Sequence, residues 1–239
     1  MFNKVKKYAS DALDTKSKSL LRKFVRLYAY PIFLFNGVVL FYLDEKRSAI
    51  LDIIRKVKKE KTTVLADNEA YQLYMLVNST QKVKGDIAEV GAYQGGSSKI
   101  ICEAKKKKNF YIFDTFEGLP SPSKNDDGFA EGQYRCSMEE VKEYLKGYKN
   151  VRLYKGLFPK TAFVIMNKKF SFVHLDVDLY DSTLESLKFF YPRMSRGGII
   201  LSHDYINSVG VRKAFEEFFK DKPEPIVEMS GSQCMIVKL

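Results

Sequence analysis

Cysteine is scarce and scattered: Cys102, Cys136 and Cys234 are the chain's three, far apart and with no CxxC pair. An odd, dispersed set argues against a disulfide framework and against a cysteine-built zinc site, and reads as reduced thiols in a cytoplasmic setting. The N-terminus lacks the short apolar core and small-residue cleavage site of a secretory leader. No internal repeat or long low-complexity stretch is present. Long hydrophobic runs are missing too. The uncharged stretch 27–43, LYAYPIFLFNGVVLFYL, has 17 residues, at the lower limit of about 17–25 for a membrane span, and Pro31, Asn36 and Gly37 interrupt it.

Acidic charge is short in one region only. Residues 1–62 carry 15 Lys and Arg against 6 Asp and Glu, a net +9 of the chain's +11, which leaves +2 for everything after. A nucleic-acid enzyme would carry its basic footprint beside its cleft, so no nucleic-acid partner is expected. Of the 239 residues, 45% are hydrophobic and 29% charged, which suits one core-forming domain over 62–239 and a basic, helical and apolar extension over 1–61.

What is present is regular. In KRSAILDIIRKVKK, Ile50, Ile53, Ile54 and Val57 recur at helical spacing, and a further helix is predicted over 68–79. From Gly85, apolar runs DIAEV (86–90), NFYIF (109–113), VRLY (151–154), FSFVHLDV (170–177) and GIILSH (198–203) alternate with helix-like segments at 97–106, 138–146, 161–166, 182–194 and 211–219. That alternation predicts a doubly wound α/β fold with a mostly parallel sheet. A Ser-Gly-Ser turn between PIVEM (225–229) and QCMIVKL (233–239) adds a closing hairpin and brings the count to seven strands. The polar loop 120–133 reads as a mobile lid. His174, inside an apolar strand, reads as a hydrogen-bonded core residue, Asp181 and Ser182 as a helix N-cap, and FEEFF (215–219) as a helix packing on the sheet.

Where the first strand meets a helix stands EVGAYQGGS, with Gly91, Gly95 and Gly96 permitting a tight turn and close backbone approach to a ligand. A glycine loop alone only turns a strand into a helix. Here Glu89 adds an anion at the strand end, where a pyrophosphate would be repelled but the ammonium and sulfonium groups of S-adenosylmethionine would be welcome. Asp114 ends the second run, 25 positions after Glu89, placed to accept hydrogen bonds from ribose hydroxyls. The expected cofactor contacts are therefore Glu89, the loop positions Gly91, Tyr93, Gly95 and Ser97, and Asp114.

A second constellation is acidic. Asp176 and Asp178 stand two apart at the end of the fourth run, and period-two alternation points both to one side if the strand continues there. The fifth run ends in Ser202-His203-Asp204-Tyr205, and the ends of strands four and five are neighbours in such a sheet. Clustered carboxylates call for a cation, with Mg²⁺ the natural hard-ion partner. Taken alone, DxD could equally be solvated strand-end acids.

In GDIAEVGAYQGGSS, FDTFEGLP, YKGLFPKT, HLDVDLYDST and GGIILSHDY, in that order, the chain resembles the macrocin O-methyltransferase (TylF) family from about residue 62 onward. The resemblance implies a class I methyltransferase sheet, S-adenosylmethionine as donor, and hydroxyls of sugars or sugar-bearing metabolites as acceptors. It implies that Gly156 and Phe158 of YKGLF lie near the adenine, that Asp176 ligates a metal, and that Asp178 is the general base. The family's next pair is Asp-Asp; here it is His203-Asp204. Imidazole ligates Mn²⁺, Fe²⁺ or Zn²⁺ better than Mg²⁺, so the expected metal set Asp176, His203 and Asp204 leaves the ion open, and the alternative for His203 is a base or a neutral group beside the ligands.

Two other readings stay open: a DxD metal-dependent glycosyltransferase, and a non-catalytic membrane-associated scaffold with this fold. The stretch 27–43 between basic segments suits peripheral contact with the cytoplasmic face of an anionic membrane, where the acceptor would be a lipid-linked glycan. Its alternative is packing on the domain or at the interface of a homo-oligomer.

Overall fold

The computed structural model describes residues 44–61 and 63–239; residues 1–43, and with them the readings of the stretch 27–43 and of the basic arm before it, lie outside the described residues. Among the described residues no helix is long and apolar enough to cross a membrane.

The five apolar runs become five adjacent parallel strands: β1 (Asp86–Val90), β2 (Phe110–Asp114), β3 (Val151–Lys155), β4 (Phe170–Leu175) and β5 (Met194–Ser202). The hairpin β6 (Val227–Glu228) and β7 (Cys234–Val237) completes a seven-stranded sheet in the order β3-β2-β1-β4-β5-β7-β6, with β7 antiparallel to both neighbours. The doubly wound α/β architecture is thus as the sequence predicts. Strand order reverses between β1 and β4, and ligands of such sheets bind beyond the carboxyl ends at that switch.

Helix α1 (Glu45–Glu60) is capped by Asp44, whose side chain accepts from the Arg47 amide, and it carries Lys58 and Lys59 in its last turn, where they complement the helix dipole. Leu51, Ile54 and Val57 form its buried stripe, packed against α2 (Asp67–Ser79) and α3 (Gly96–Ala104). In packing, α1 therefore belongs with the sheet's helices, although its sequence is continuous in character with the basic extension. Helices α4 (Met138–Leu145), α5 (Tyr180–Phe190) and α6 (Val209–Phe219) follow β2, β4 and β5. The segment 161–166 is a 3₁₀ turn, Ala162–Ile165, rather than an α-helix.

Alternation along β1 divides its side chains between two environments. Ala88 and Val90 belong to an aromatic core in which Phe158 lies against Phe113 and Phe190, with Phe215 of α6 in the same cluster. Ile87 and Glu89 point to the other face. Asp181 and Ser182 lie inside the first turn of α5 and do not cap it; the N-cap position is Leu179, whose side chain makes no cap bond, and the Tyr180 amide donates instead to Asp126 of the loop at 2.6 Å. That loop is tied down at its base, where the Leu119 amide donates to the Gln133 carbonyl and the Gly132 amide to the Leu119 carbonyl.

Candidate active site

Beyond the carboxyl ends of β1 and β4 lies a cavity of about 620 Å³, a size ordinary for a small-molecule site. Its floor is the β1–α3 loop. Gly91 has φ +85, and a β-carbon there would overlap the Asp176 carbonyl oxygen, so only glycine lets the loop lie against the end of β4. Asp114 organises the same loop. Its Oδ2 accepts from the amides of Ala92 (2.7 Å) and Tyr93 (3.0 Å), and its Oδ1 from the amide of Phe116 (2.7 Å). A carboxylate has about four acceptor positions, so Asp114 retains about one, on Oδ1, for a ligand hydroxyl. Tyr93 sits at φ +46, and its carbonyl accepts from the Cys136 thiol at 2.7 Å, which pins the far end of the 120–133 loop beside it.

Glu89 is placed differently from the sequence expectation. It does not line the cavity; it is fully buried on the opposite face of the sheet, one residue out of phase with the cavity-lining Val90. Its Oε1 lies 3.0 Å from Nδ1 of His174, its register partner on β4, and its Oε2 accepts from Ser98. His174 is accordingly a core histidine. Gly95 caps α3 at φ +83 and faces Val141 of α4, and Ser97 is buried in the first turn of α3; neither lines the cavity. Gly91, Tyr93, Asp114, Gly156 and Phe158 do line it, as do Asp176, Asp178, His203 and Asp204.

The acids converge, though not through alternation. Strand β4 stops at Leu175, and Asp178 adopts φ +59, as does Asp204. Asp tolerates the left-handed region at modest cost, and two such residues at one site mark a backbone shaped for side-chain placement. Ser208, the N-cap of α6, holds both: its hydroxyl donates to the Asp178 carbonyl (2.9 Å) and its amide to the Asp204 carbonyl (2.7 Å). His203 Nδ1 stands 2.7 Å from Asp204 Oδ2 and 3.4 Å from Asp176 Oδ1. One donor atom each from Asp176, His203 and Asp204 falls within a 4.8 Å span.

Sequence reasoning missed Glu69. This buried acid on α2 reaches His203 Nε2 from the other side, at 3.3 Å. Burial alone would raise its carboxyl, but hydrogen bonds with His203 and Ser232 prevail and hold it at about 2. Burial also opposes charge on His203, yet the carboxylates of Asp176, Asp204 and Glu69 hold it well above the usual imidazole range. Asp176 is correspondingly lowered, burial being outweighed by His203. Asp178 goes the other way: burial first, then the charges of Asp176 and Asp204, push its carboxyl up to about 9. The remainder of the wall is largely apolar and includes Phe129 of the 120–133 loop, with Leu119 and Tyr134 at the loop's two ends.

The Macrocin-O-methyltransferase (TylF) family profile matches residues 67–232. Demethyldecarbamoylnovobiocin O-methyltransferase of Streptomyces niveus is 26% identical over 155 residues, covering 57% of this chain and 58% of that protein. An 8-demethyl-8-(2,3-dimethoxy-alpha-L-rhamnosyl)-tetracenomycin-C 4'-O-methyltransferase of Streptomyces olivaceus is 27% identical over 140 residues, covering 52% and 54%. The matched stretch thus spans a little over half the length of these relatives. Among solved structures, the O-methyltransferase NovP superposes with a TM-score of 0.67 at 19% identity, covering 81% of this chain and 98% of that one, which establishes the shared fold.

Proposed function

Because the chain belongs to the Macrocin-O-methyltransferase (TylF) family, we propose that it transfers a methyl group from S-adenosylmethionine to a hydroxyl of a sugar or glycan-type acceptor, assisted by a divalent cation. The observation that carries this reading is one cavity in which the glycine loop and Asp114 adjoin the acid cluster across the Gly91–Asp176 contact. The names of the relatives, one of them acting on a rhamnosyl compound, support the acceptor class.

Asp114 would accept one ribose hydroxyl on the position its backbone partners leave free. The lining positions Gly156 and Phe158 suit an adenine, and the apolar loop residues would cover the acceptor and exclude water. S-adenosylmethionine supplies an electrophilic methyl that needs alignment more than activation.

The donor set fits a cation. Glu69, Asp176 and Asp204 all approach one imidazole, so negative charge stays in excess even with the ring protonated. Asp176, His203 and Asp204 would hold the ion, and the nitrogen donor favours Mn²⁺ or softer ions over Mg²⁺. A bound cation would lower the pKa of the acceptor hydroxyl. Asp178, ionised once a cation held by Asp176 and Asp204 offsets the repulsion that raises it, would then take that hydroxyl's proton as the hydroxyl oxygen bonds to the methyl carbon and the carbon–sulfur bond breaks.

Calorimetric titration with S-adenosylmethionine and with a nucleotide sugar, followed by labelled-methyl transfer to rhamnose-type glycans with and without chelator, tests the reading. Binding of the nucleotide sugar alone would replace it with a glycosyltransferase. Donor binding with no transfer to any glycan would leave the scaffold reading, and full transfer in chelator would remove the cation.

A further inference from the structure

The pair that departs from two acids, His203-Asp204, has a counterpart elsewhere in the chain. Glu69 lies 134 residues earlier, on the first turn of α2, and every contact of its carboxylate is specific. Oε1 accepts from the Ser232 amide (2.7 Å) and the Ser232 hydroxyl (2.8 Å), and Oε2 from the Ala66 amide (2.7 Å). Gly231 is shaped to it as well: at φ +98, a β-carbon there would come within 2.5 Å of Glu69 Oε1. The turn that closes the C-terminal hairpin is thus wrapped around this side chain, whose remaining approach is to His203 Nε2.

An imidazole presents its two nitrogens in different directions, and a hydrogen bond at one determines what the other offers. Carboxylates only accept, so in the cation-free protein both nitrogens carry protons, Nε2–H toward Glu69 and Nδ1–H toward Asp204 and Asp176; a cation among the latter pair would replace the Nδ1 proton while Glu69 retains the one on Nε2. Building on the cation reading above, we propose that Glu69 is a positioning residue for His203, locking Nε2–H toward itself so that Nδ1 completes a mixed nitrogen–oxygen site with Asp176 and Asp204. Glu69 and His203 form a matched pair: a carboxylate at position 203 would leave Glu69 buried beside a like charge without its ring donor, and a ring at 203 without Glu69 would be free to present either nitrogen. Such outer partners of a ligating histidine commonly govern metal affinity about 10- to 100-fold.

The chain has only two histidines, so ring ¹H–¹⁵N spectra of the full-length protein resolve His203 against His174 as an internal reference. In the cation-free protein, His203 is expected to show an exchange-protected Nε2–H signal that Glu69→Gln shifts or abolishes while His174 is unmoved. Addition of Zn²⁺ alone should place the coordination shift on Nδ1 of His203. Titration with Mn²⁺ alone should show about 10- to 100-fold weaker binding in Glu69→Gln, and less than twofold change in Ser232→Ala, which removes a donor to the same carboxylate without touching the ring. In a His203→Asp background the sign should reverse, Glu69→Gln leaving cation binding unchanged or tighter. An Nε2–H signal indifferent to Glu69→Gln, a coordination shift on Nε2, or equal weakening by Ser232→Ala would overturn the proposal. If the parent binds neither ion, the cation reading fails by itself, and the Nε2–H signal still decides whether Glu69 sets the ring.

Discussion

Gly91 and the carbonyl of Asp176 are packed so closely that no side chain fits between them. The loop after β1 and the acids after β4 are therefore one rigid corner, and neither can be altered without moving the other. Gly91→Ala should cost at least about 2 kcal/mol, from its left-handed backbone and from the overlap, and should abolish donor binding in whatever folds. Gly128→Ala is the control. It shares a positive φ, +82, but has open space around it, so it should cost only about 1 kcal/mol and leave binding intact. Chemical denaturation and calorimetry of the two variants make the comparison.

Asp114 is both a ligand candidate and a scaffold for its own loop. Asp114→Asn keeps one acceptor but turns an amide NH2 toward an N–H group in either orientation, that of Phe116 or those of Ala92 and Tyr93. Donor affinity should fall about 10- to 100-fold, as expected for loss of hydrogen bonds to a charged group, and the melting temperature should drop with it. Unchanged donor affinity, measured by titration, would remove Asp114 from the site.

Glu89 should behave oppositely. Its partners are Ser98 and His174, and it faces away from the cavity. Glu89→Gln is expected to cost about 1–3 kcal/mol of stability through unmatched buried polar groups, with donor affinity changing less than threefold at a temperature where the variant is folded. A large affinity loss without a stability loss would restore the direct contact that its place in the sequence suggested.

Asp178→Asn should preserve cofactor binding and lower turnover about 100- to 10,000-fold, the range for a lost general base. Single-turnover methyl transfer at saturating donor and acceptor reads this directly. Turnover within tenfold of the parent would take the proton-accepting role away from Asp178.

Glu224 gives a pH dependence remote from the cavity. Its buried carboxylate accepts from Lys238, from Tyr191 (2.8 Å) and from the Leu239 amide (3.3 Å). Burial would raise it, but these donors outweigh burial and hold it at about 2, against 4.5 when unfolded. The folded state thus binds fewer protons than the unfolded one between those values, so this group's contribution is full above about pH 4.5 and is lost as pH falls toward 2. Glu224→Gln should be less stable than the parent by about 1–3 kcal/mol at pH 7, and the gap should narrow below pH 4.5 in urea titrations. A gap that stays constant with pH would place the effect in packing and not in charge.

Strand and helix positions were readable because apolar runs and helical spacing are local signals. DIAEV became β1 residue for residue, and Met138–Leu145 fell within its predicted helix. What stayed hidden depended on phase or on distance along the chain. Glu89 and Val90 are adjacent, and which of them meets the cavity turns on the face that α5 and α6 cover, which a strand pattern alone does not specify. Glu69 and Asp126 act on His203 and Tyr180 across 134 and 54 residues, where no spacing rule reaches. Asp178 was picked out by the DxD motif, but its left-handed backbone, and not strand alternation, brings it to the acids.

The Asp126 carboxylate has a consequence for hydrogen exchange. It accepts the Tyr180 amide at the start of α5, and a β-carbon on Gly210 in the first turn of α6 would collide with its Oδ1, so it is wedged between the starts of two helices. The loop carrying Asp126 also supplies Phe129 to the cavity wall. Opening that loop withdraws the acceptor from Tyr180, so the lifetime of this amide against deuterium measures how often the loop lifts. Any molecule bound beneath Phe129 must lengthen that lifetime by the free energy with which it holds the loop down. One backbone proton, outside the reacting centre, thus reports occupancy of the cavity beneath Phe129 without any turnover.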